Sequence, residues 1–288
     1  ATLGRAYDSL SGEGAVAVQQ TALDANGNFM NTIGGQIAGW LVESQRSIDH
    51  LWHLWLAPYN GGAQYPGDAK AGTANLSDSG YGFGLGIDRQ ITSSTVLGAA
   101  IGVSDSWFSV SGRQSNGSVQ GFHAGLYGGW HSDLAYVTGA VSYDNFNNLE
   151  HRQVNIPSVT LPTSYFSDGP YLVPGFEGPL AGKSRASSVS GQFEAGYRDS
   201  IGIFDVTPFV GLNFSALHLD PFAEKSGSSP SVLGLSFASQ SVSSVPSFVG
   251  VQFDTSTEVS DTTVLRSWLR AAWKHEFDTS RVAQASFT

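Results

Sequence analysis

The chain has 288 residues, of which 35 are Gly and none is Cys; 13% are charged and the net charge is −10. A hydrophobic content of 41% argues against a disordered chain, the acidic balance against a nucleic-acid binder, and the lack of Cys against a disulfide-stapled scaffold. No apolar run reaches the roughly 18 residues of a transmembrane helix. Two architectures of one or two domains remain: a Gly-rich all-β protein with short turns, or a transmembrane β-barrel. A barrel averages to a hydropathy near zero, −0.08 here, because one face of every strand is polar.

The N-terminal part reads differently from the rest. Residues 7–48 hold no Pro, and Leu23, Met30, Ile33, Ile37, Trp40 and Leu41 recur at helical spacing. Between them lie small residues, among them Gly14, Ala15, Ala17, Ala22, Gly34, Gly35 and Gly39. Each Gly weakens a helix by up to about 1 kcal/mol against Ala. A helix this slim suits a narrow channel, or a place where another backbone comes close. The alternative is a frayed helix at the start of a globular domain.

From residue 51 onward the period changes to two. Tyr81, Phe83, Leu85 and Ile87 share one face, and Gly82, Gly84, Gly86 and Asp88 the other. Leu97, Ala99, Ile101 and Val103 alternate with Gly98, Ala100, Gly102 and Ser104. Phe122, Ala124, Leu126 and Trp130 alternate with Gly121, His123, Gly125 and Tyr127. The pattern predicts about nine strands, over 51–59, 80–91, 95–110, 117–131, 134–151, 186–200, 203–219, 243–255 and 262–278. Several reach the length of about 9–11 tilted residues that a bilayer demands. Short links at 92–94, 132–133, 201–202 and 256–261 alternate with longer ones at 60–79, 111–116, 152–185 and 220–242. That parity is the layout of an outer-membrane barrel and is not expected of a β-sandwich.

One face of these strands carries Asp88, His123, Glu194, Arg198, Arg266, Arg270, Lys274 and Glu276, too many charges for a dry core. The other face is nearly free of charge. The polar face is therefore expected to surround a lumen and the apolar face to meet lipid. Trp52, Trp55, Tyr59, Trp107, Trp130, Phe204, Trp273 and Phe277 are expected to form interfacial girdles. Pro208, inside a strand pattern, predicts an edge, a bulge or a lipid-facing slot. Arg152 falls in a long link, where a solvated charge is one reading.

Nucleotide, zinc-protease and nucleophile-elbow motifs are absent, and His275-Glu276 lacks a second His. Neither a catalytic residue, a cofactor nor a metal is expected. Candidates for chemistry at a barrel rim are Asp220 near His218 and Asp49 near His50.

The order of these segments resembles the translocator domain of bacterial autotransporters, the type V secretion family. Tyr7-Asp8-Ser9-Leu10-Ser11-Gly12-Glu13 looks like that family's linker-helix motif. Gly84-Leu85-Gly86-Ile87-Asp88-Arg89, Leu97-Gly98-Ala99-Ala100-Ile101-Gly102 and Gly125-Leu126-Tyr127-Gly128-Gly129-Trp130 resemble its second, third and fourth strands. Phe193-Glu194-Ala195-Gly196-Tyr197-Arg198, Pro208-Phe209-Val210-Gly211-Leu212 and the run from Leu269 to Phe277 resemble later ones, and Arg152 sits where the family often has an Arg. The resemblance implies an antiparallel transmembrane β-barrel with an N-terminal helix threading the pore. It implies a linker and pore helix over 1–50 and a barrel over 51–288. Family barrels have about twelve strands, an even number; with about nine seen, the barrel is expected to be incomplete at its C-terminal end, unless 152–185 and 220–242 hide strands.

The implied function is secretion or surface display of an N-terminal passenger across the bacterial outer membrane. Implied partners are the lipid bilayer, the outer-membrane assembly machinery and the passenger in cis; nucleic acid is not one, and the state is monomeric. Glu194, Arg198, Arg266, Arg270, Lys274, Asp88 and His123 are expected to line the pore and dock the helix, or else to form a salt-bridge network that only keeps the interior polar. Alternatives in function are a barrel enzyme or porin and, further off, a soluble β-sandwich adhesin.

Overall fold

A computed structural model describes residues 2–43, 52–161, 171–201, 204–227, 229–230, 233–260, 263–278 and 281–287. The single helix expected over 7–48 is two helices, α1 (Thr2–Ser9) and α2 (Glu13–Glu43), with the end of the expected span outside the described residues. The break falls at Leu10-Ser11-Gly12, where the Ser11 hydroxyl accepts the amide N–H of Glu13 at 3.2 Å and so satisfies one free donor at the start of α2.

Nine long strands follow: β1 (His53–Tyr65), β2 (Leu76–Thr92), β3 (Thr95–Val110), β4 (Ser115–His131), β5 (Ala135–Ile156), β6 (Phe176–Tyr197), β7 (Phe204–Leu219), β8 (Pro246–Ser260) and β9 (Thr263–Glu276). Each pairs antiparallel with its sequence neighbour, in one half-barrel sheet ordered β1 to β9. Among the described residues, β1 and β9 are not paired with each other. Among the described residues the long links hold no further long strand. Instead β5 and β6 run on as a hairpin to Ile156↔Phe176, and 220–245 folds into short pieces. One of these, Leu235–Phe237, pairs with Phe222–Ala223 on one side and Ala285–Phe287 on the other.

The predicted faces hold. Tyr81, Phe83, Leu85, Ile87, Leu97, Ile101, Val103, Phe122, Leu126, Val137 and Val141 all point outward and are exposed, which rules out the second covering sheet of a sandwich. Trp52 and Trp130 lie toward the short links, and Tyr81 meets Trp107 toward the long ones, ring centroids 5.5 Å apart. The girdle expectation fails for Trp55 and Tyr59. Trp55 is buried inside, its indole N–H donating to the Tyr127 hydroxyl at 2.7 Å, and Tyr59 packs on the same inner cluster. Both occupy the inward phase of β1, which proximity to a strand end does not reveal.

Pro208 faces outward at a gap in a ladder. Pairing of β6 with β7 ends at Gly196↔Phe209, and pairing with β7 resumes only at Asp199↔Val206. A residue without an N–H sits there at no cost to the ladder.

The inner face packs on α2. Phe29, Met30, Ile33 and Ile37 meet Trp55, Ala100, Tyr127 and Ala140; nearer the start of α2, Ala17, Val18, Ala22 and Leu23 meet Phe108, Val119, Phe146 and Leu217. Inward glycines make the approach possible. A Cβ on Gly102 would lie 2.7 Å from the Phe29 ring and 3.2 Å from the Phe83 carbonyl. Gly102→Val is therefore expected to displace Phe29 and destabilise the protein by about 1–3 kcal/mol, read as a lower denaturant midpoint in detergent micelles.

Candidate functional site

The helix is seated on the wall through polar clusters at several levels. At mid-height, Asp144 of β5 is fully buried and gathers donors from three elements. The Asn26 amide of α2 donates to it at 2.6 Å, the Ser188 hydroxyl of β6 at 2.8 Å and the Ser142 hydroxyl at 3.1 Å; Nδ1 of His123 lies 2.8 Å from its other oxygen. Nε2 of His123 meets the Ser104 hydroxyl at 2.9 Å, and Phe29 stacks on the imidazole at 4.9 Å. The Ser104–His123–Asp144 order is that of a hydrolytic triad. Here the His is wholly enclosed under Phe29 and the Asp is shared with the helix, so the cluster serves as a seat.

Toward the long links, Arg152 holds the break between the helices. It lies in β5 and is buried, against the reading of a solvated loop charge. Its guanidinium makes a two-pronged pair with Glu224, with Nε at 2.8 Å from the carboxylate, and donates to the carbonyls of Ser9 at 2.7 Å and Leu233 at 3.1 Å. A planar fork suits this mixture of carboxylate and carbonyl acceptors. Arg113, between β3 and β4, grips the same break from the other side through Asp8, Glu13 and the Gly72 carbonyl. Lower on α2, Asp24 accepts the Tyr65 hydroxyl at 2.7 Å.

The seven residues singled out in the sequence separate into groups. His123 belongs to the Asp144 seat. Asp88 accepts from Tyr127 at 2.8 Å and lies 3.4 Å from Nδ1 of His53, so among the described residues its link to the helix runs through the Tyr127–Trp55 pair. Glu194 bonds Arg270 at 2.5 Å and Tyr136 at 2.7 Å, and the Arg270 guanidinium sits 3.6 Å above the Phe209 ring. Arg198 lines a small recess with Leu41 and Tyr136 at the far end of α2. Lys274 is exposed and borders a cavity of about 430 Å3 beside α2, together with Asp24, Tyr65 and Glu276. The side chain of Arg266 lies outside the described residues.

Asp144, Glu150 and Arg152, not singled out as helix contacts in the sequence, continue the inward phase of β5 past its belt-spanning part. The signal was the alternation Ser142, Asp144, Phe146, Asn148, Glu150, Arg152, Val154, all buried. The rim candidates fare otherwise. His218 and Asp220 are half exposed and 3.9 Å apart, too far for a hydrogen bond to orient the imidazole, and Asp49-His50 lies outside the described residues.

The autotransporter β-domain model matches residues 54–288. The chain belongs to that family. Among solved structures it resembles the translocator domain of the autotransporter NalP from Neisseria meningitidis. That likeness has a TM-score of 0.63 and 18% identity, over 91% of this chain and 82% of the other. It also resembles the β-domain of the Bordetella autotransporter BrkA, with a TM-score of 0.54 and 14% identity over 80% of each chain. The location is the bacterial outer membrane, and the apolar belt is the surface that meets lipid.

Removing one partner of a buried pair leaves an uncompensated charge. Arg152→Met is expected to cost about 3–5 kcal/mol, whereas Arg152→Met with Glu224→Leu recovers most of it; unfolding titrations of the three proteins measure the difference.

Proposed function

We propose that this chain is the translocator of an autotransporter. The linker and pore helix span residues 1–50, and the barrel spans 51–288. It carries an N-terminal passenger to the cell surface and performs no chemistry of its own. The supporting observation is the polarity of the seated helix. The start of α2 lies against Glu150 of the β5–β6 hairpin and against Leu235 of the 220–245 segment, while Leu41 near its end lies with Tyr136, beside the short β4–β5 link. In outer-membrane barrels the short turns are periplasmic and the long loops extracellular. A polypeptide joined to the N-terminus therefore emerges outside.

On this reading the barrel folds as a monomer delivered by the outer-membrane assembly machinery. Asp88, His123, Glu194, Arg198, Arg270 and Lys274 line the pore. His123 acts on the helix through Asp144, and Glu194 with Arg270 stiffens the wall around its lower end. The glycine-lined inner face leaves room for an extended chain to pass before the helix takes its seat.

An epitope fused ahead of Ala1, in cells given a secretion signal, is expected to be labelled by antibody on intact cells; labelling only after the outer membrane is opened would overturn the assignment. Glu194→Gln in planar bilayers is expected to raise the single-channel conductance by loosening the wall at the helix base, and an unchanged conductance would remove Glu194 from that role.

A further inference from the structure

Two acids on the helix–wall seam, Glu150 buried and Asp78 half-buried, have no positive partner of their own among the described residues. Glu150 of β5 is 2% exposed, and among the described residues neither of its oxygens has a hydrogen-bond partner. It is pressed on the first turn of α2, where any Cβ on Gly14 would collide with its carboxylate. Around it stand Glu224 from the 220–245 segment and Arg152 from its own strand, whose guanidinium is already committed to Glu224. Glu13 in the same helical turn is held by Arg113 and by the Ala74 amide, and Gly117 and Gly182 flank Glu150 on β4 and β6. Buried polar atoms are almost always satisfied, so a carboxylate left bare at a seam calls for a reason.

The second acid is Asp78 of β2. One of its oxygens accepts the Ala63 amide at 2.7 Å, and the other is buried without a partner. It lies within hydrogen-bond reach of Asp24 on α2, carboxyl to carboxyl. Asp24 is otherwise bonded to Tyr65 and Gln20. Phe108 is the cross-strand neighbour of Asp78 on β3, and Lys274, Glu276 and Arg281 border the cavity beyond Asp24. Glu150 and Asp78 both lie on the long-link side of the belt, which ends outward at Tyr143 on β5 and Tyr81 on β2.

We propose that seating of α2 in the barrel is coupled to proton uptake at these two places, so that the helix is held tightest when Glu150 and Asp78 are protonated. The inference rests on the reading of α2 as a pore helix. A protonated Asp78 donates to Asp24 and turns a repulsive contact into a hydrogen bond across the seam. A protonated Glu150 no longer repels Glu224 and needs no counter-charge. Burial, then the neighbouring Glu224, pushes the Glu150 carboxyl up to about 8 against the opposing pull of Arg152. Burial, then the hydrogen bond and charge of Asp24, pushes Asp78 up as well. Both groups bind protons more tightly in the seated state than after release into water. Their contribution is thus complete below the ordinary carboxylate range and is lost as pH rises through the raised values.

Amide hydrogen exchange of the full chain in detergent micelles, corrected for the intrinsic rate, tests this with the strand amides as internal reference. Between about pH 5 and about pH 9 the protection of α2 relative to the strands is expected to fall roughly tenfold or more. E150Q with D78N, neutral at both places, is expected to keep the high protection of α2 at both pH values. A relative protection that does not change with pH, an unchanged pH dependence in the double variant, or a parallel loss from helix and strands would each overturn the proposal. Failure of the epitope to reach the cell surface would instead remove the translocator assignment and leave the exchange result standing.

Discussion

Hydrocarbon offers no hydrogen-bond partner to a peptide group, so a strand that crosses it must pair along both edges and show lipid only apolar side chains. The rest of this molecule follows from that demand. Within the belt the outward residues of β2 to β8 are chiefly apolar, and most of the charges in the strands point to the other face. That face cannot be left as an empty groove, because its residues are too small and too few to fill it. The 31-residue α2 fills it. A helix satisfies its own backbone and needs from the wall only side-chain partners and room.

Room is supplied by glycine, and partners by short polar residues in phase. Gly84 faces Trp55 and Thr32, Gly125 faces Ile33 and Gly129 faces Trp40, so the approach of α2 is set by backbone surfaces on the wall. Asn26, buried in the helix, would be a liability in an apolar core, and here it is met by Asp144 and Ser142. The same economy explains the two arginines at the break after α1. A chain with only 14 Lys and Arg places two of them where Asp8, Glu13, Glu224 and the Ser9 carbonyl converge. Arg152 stands between two acids and has only one fork. Glu224 takes it, and Glu150 is left bare among the described residues.

The period of two made the sheet legible. The nine strands, their faces and the alternation of short and long links all follow from residues such as Tyr81 to Ile87, where apolar and Gly positions alternate without exception. The site was less legible because its residues come from elements that the period does not connect. The link between Asn26 and Asp144 spans 118 positions and that between Ser9 and Arg152 spans 143, and nothing local to either residue announces its partner. Arg152 was obscured for a second reason. The strand hairpin continues beyond the belt, where the outward residues turn polar, as at Asn145 and Asn147, and the contrast between faces disappears. Trp55 shows the converse error: an aromatic near a strand end fits a girdle equally well in either phase, and only the pairing of β1 with β2 decides it.

The two ends of α2 are held by different forces. At its far end Leu41 packs with Tyr136 and Phe209, and Trp40 meets His131 edge-on at 5.2 Å. Those contacts are chiefly apolar and aromatic. At its start the apolar contacts of Ala17, Val18 and Leu23 are joined by ion pairs and close carboxylates, Arg113 with Asp8 and Glu13, Glu150 over Gly14, Asp78 toward Asp24. Apolar burial is non-directional and tolerates small shifts, whereas a buried ionic cluster is strongly favourable or strongly unfavourable according to one proton or one partner. On the proton-coupled reading, loosening therefore begins at the extracellular mouth, where a passenger would be attached, while the periplasmic end stays plugged. The barrel can then respond to its surroundings at the outer surface without opening a continuous path across the membrane.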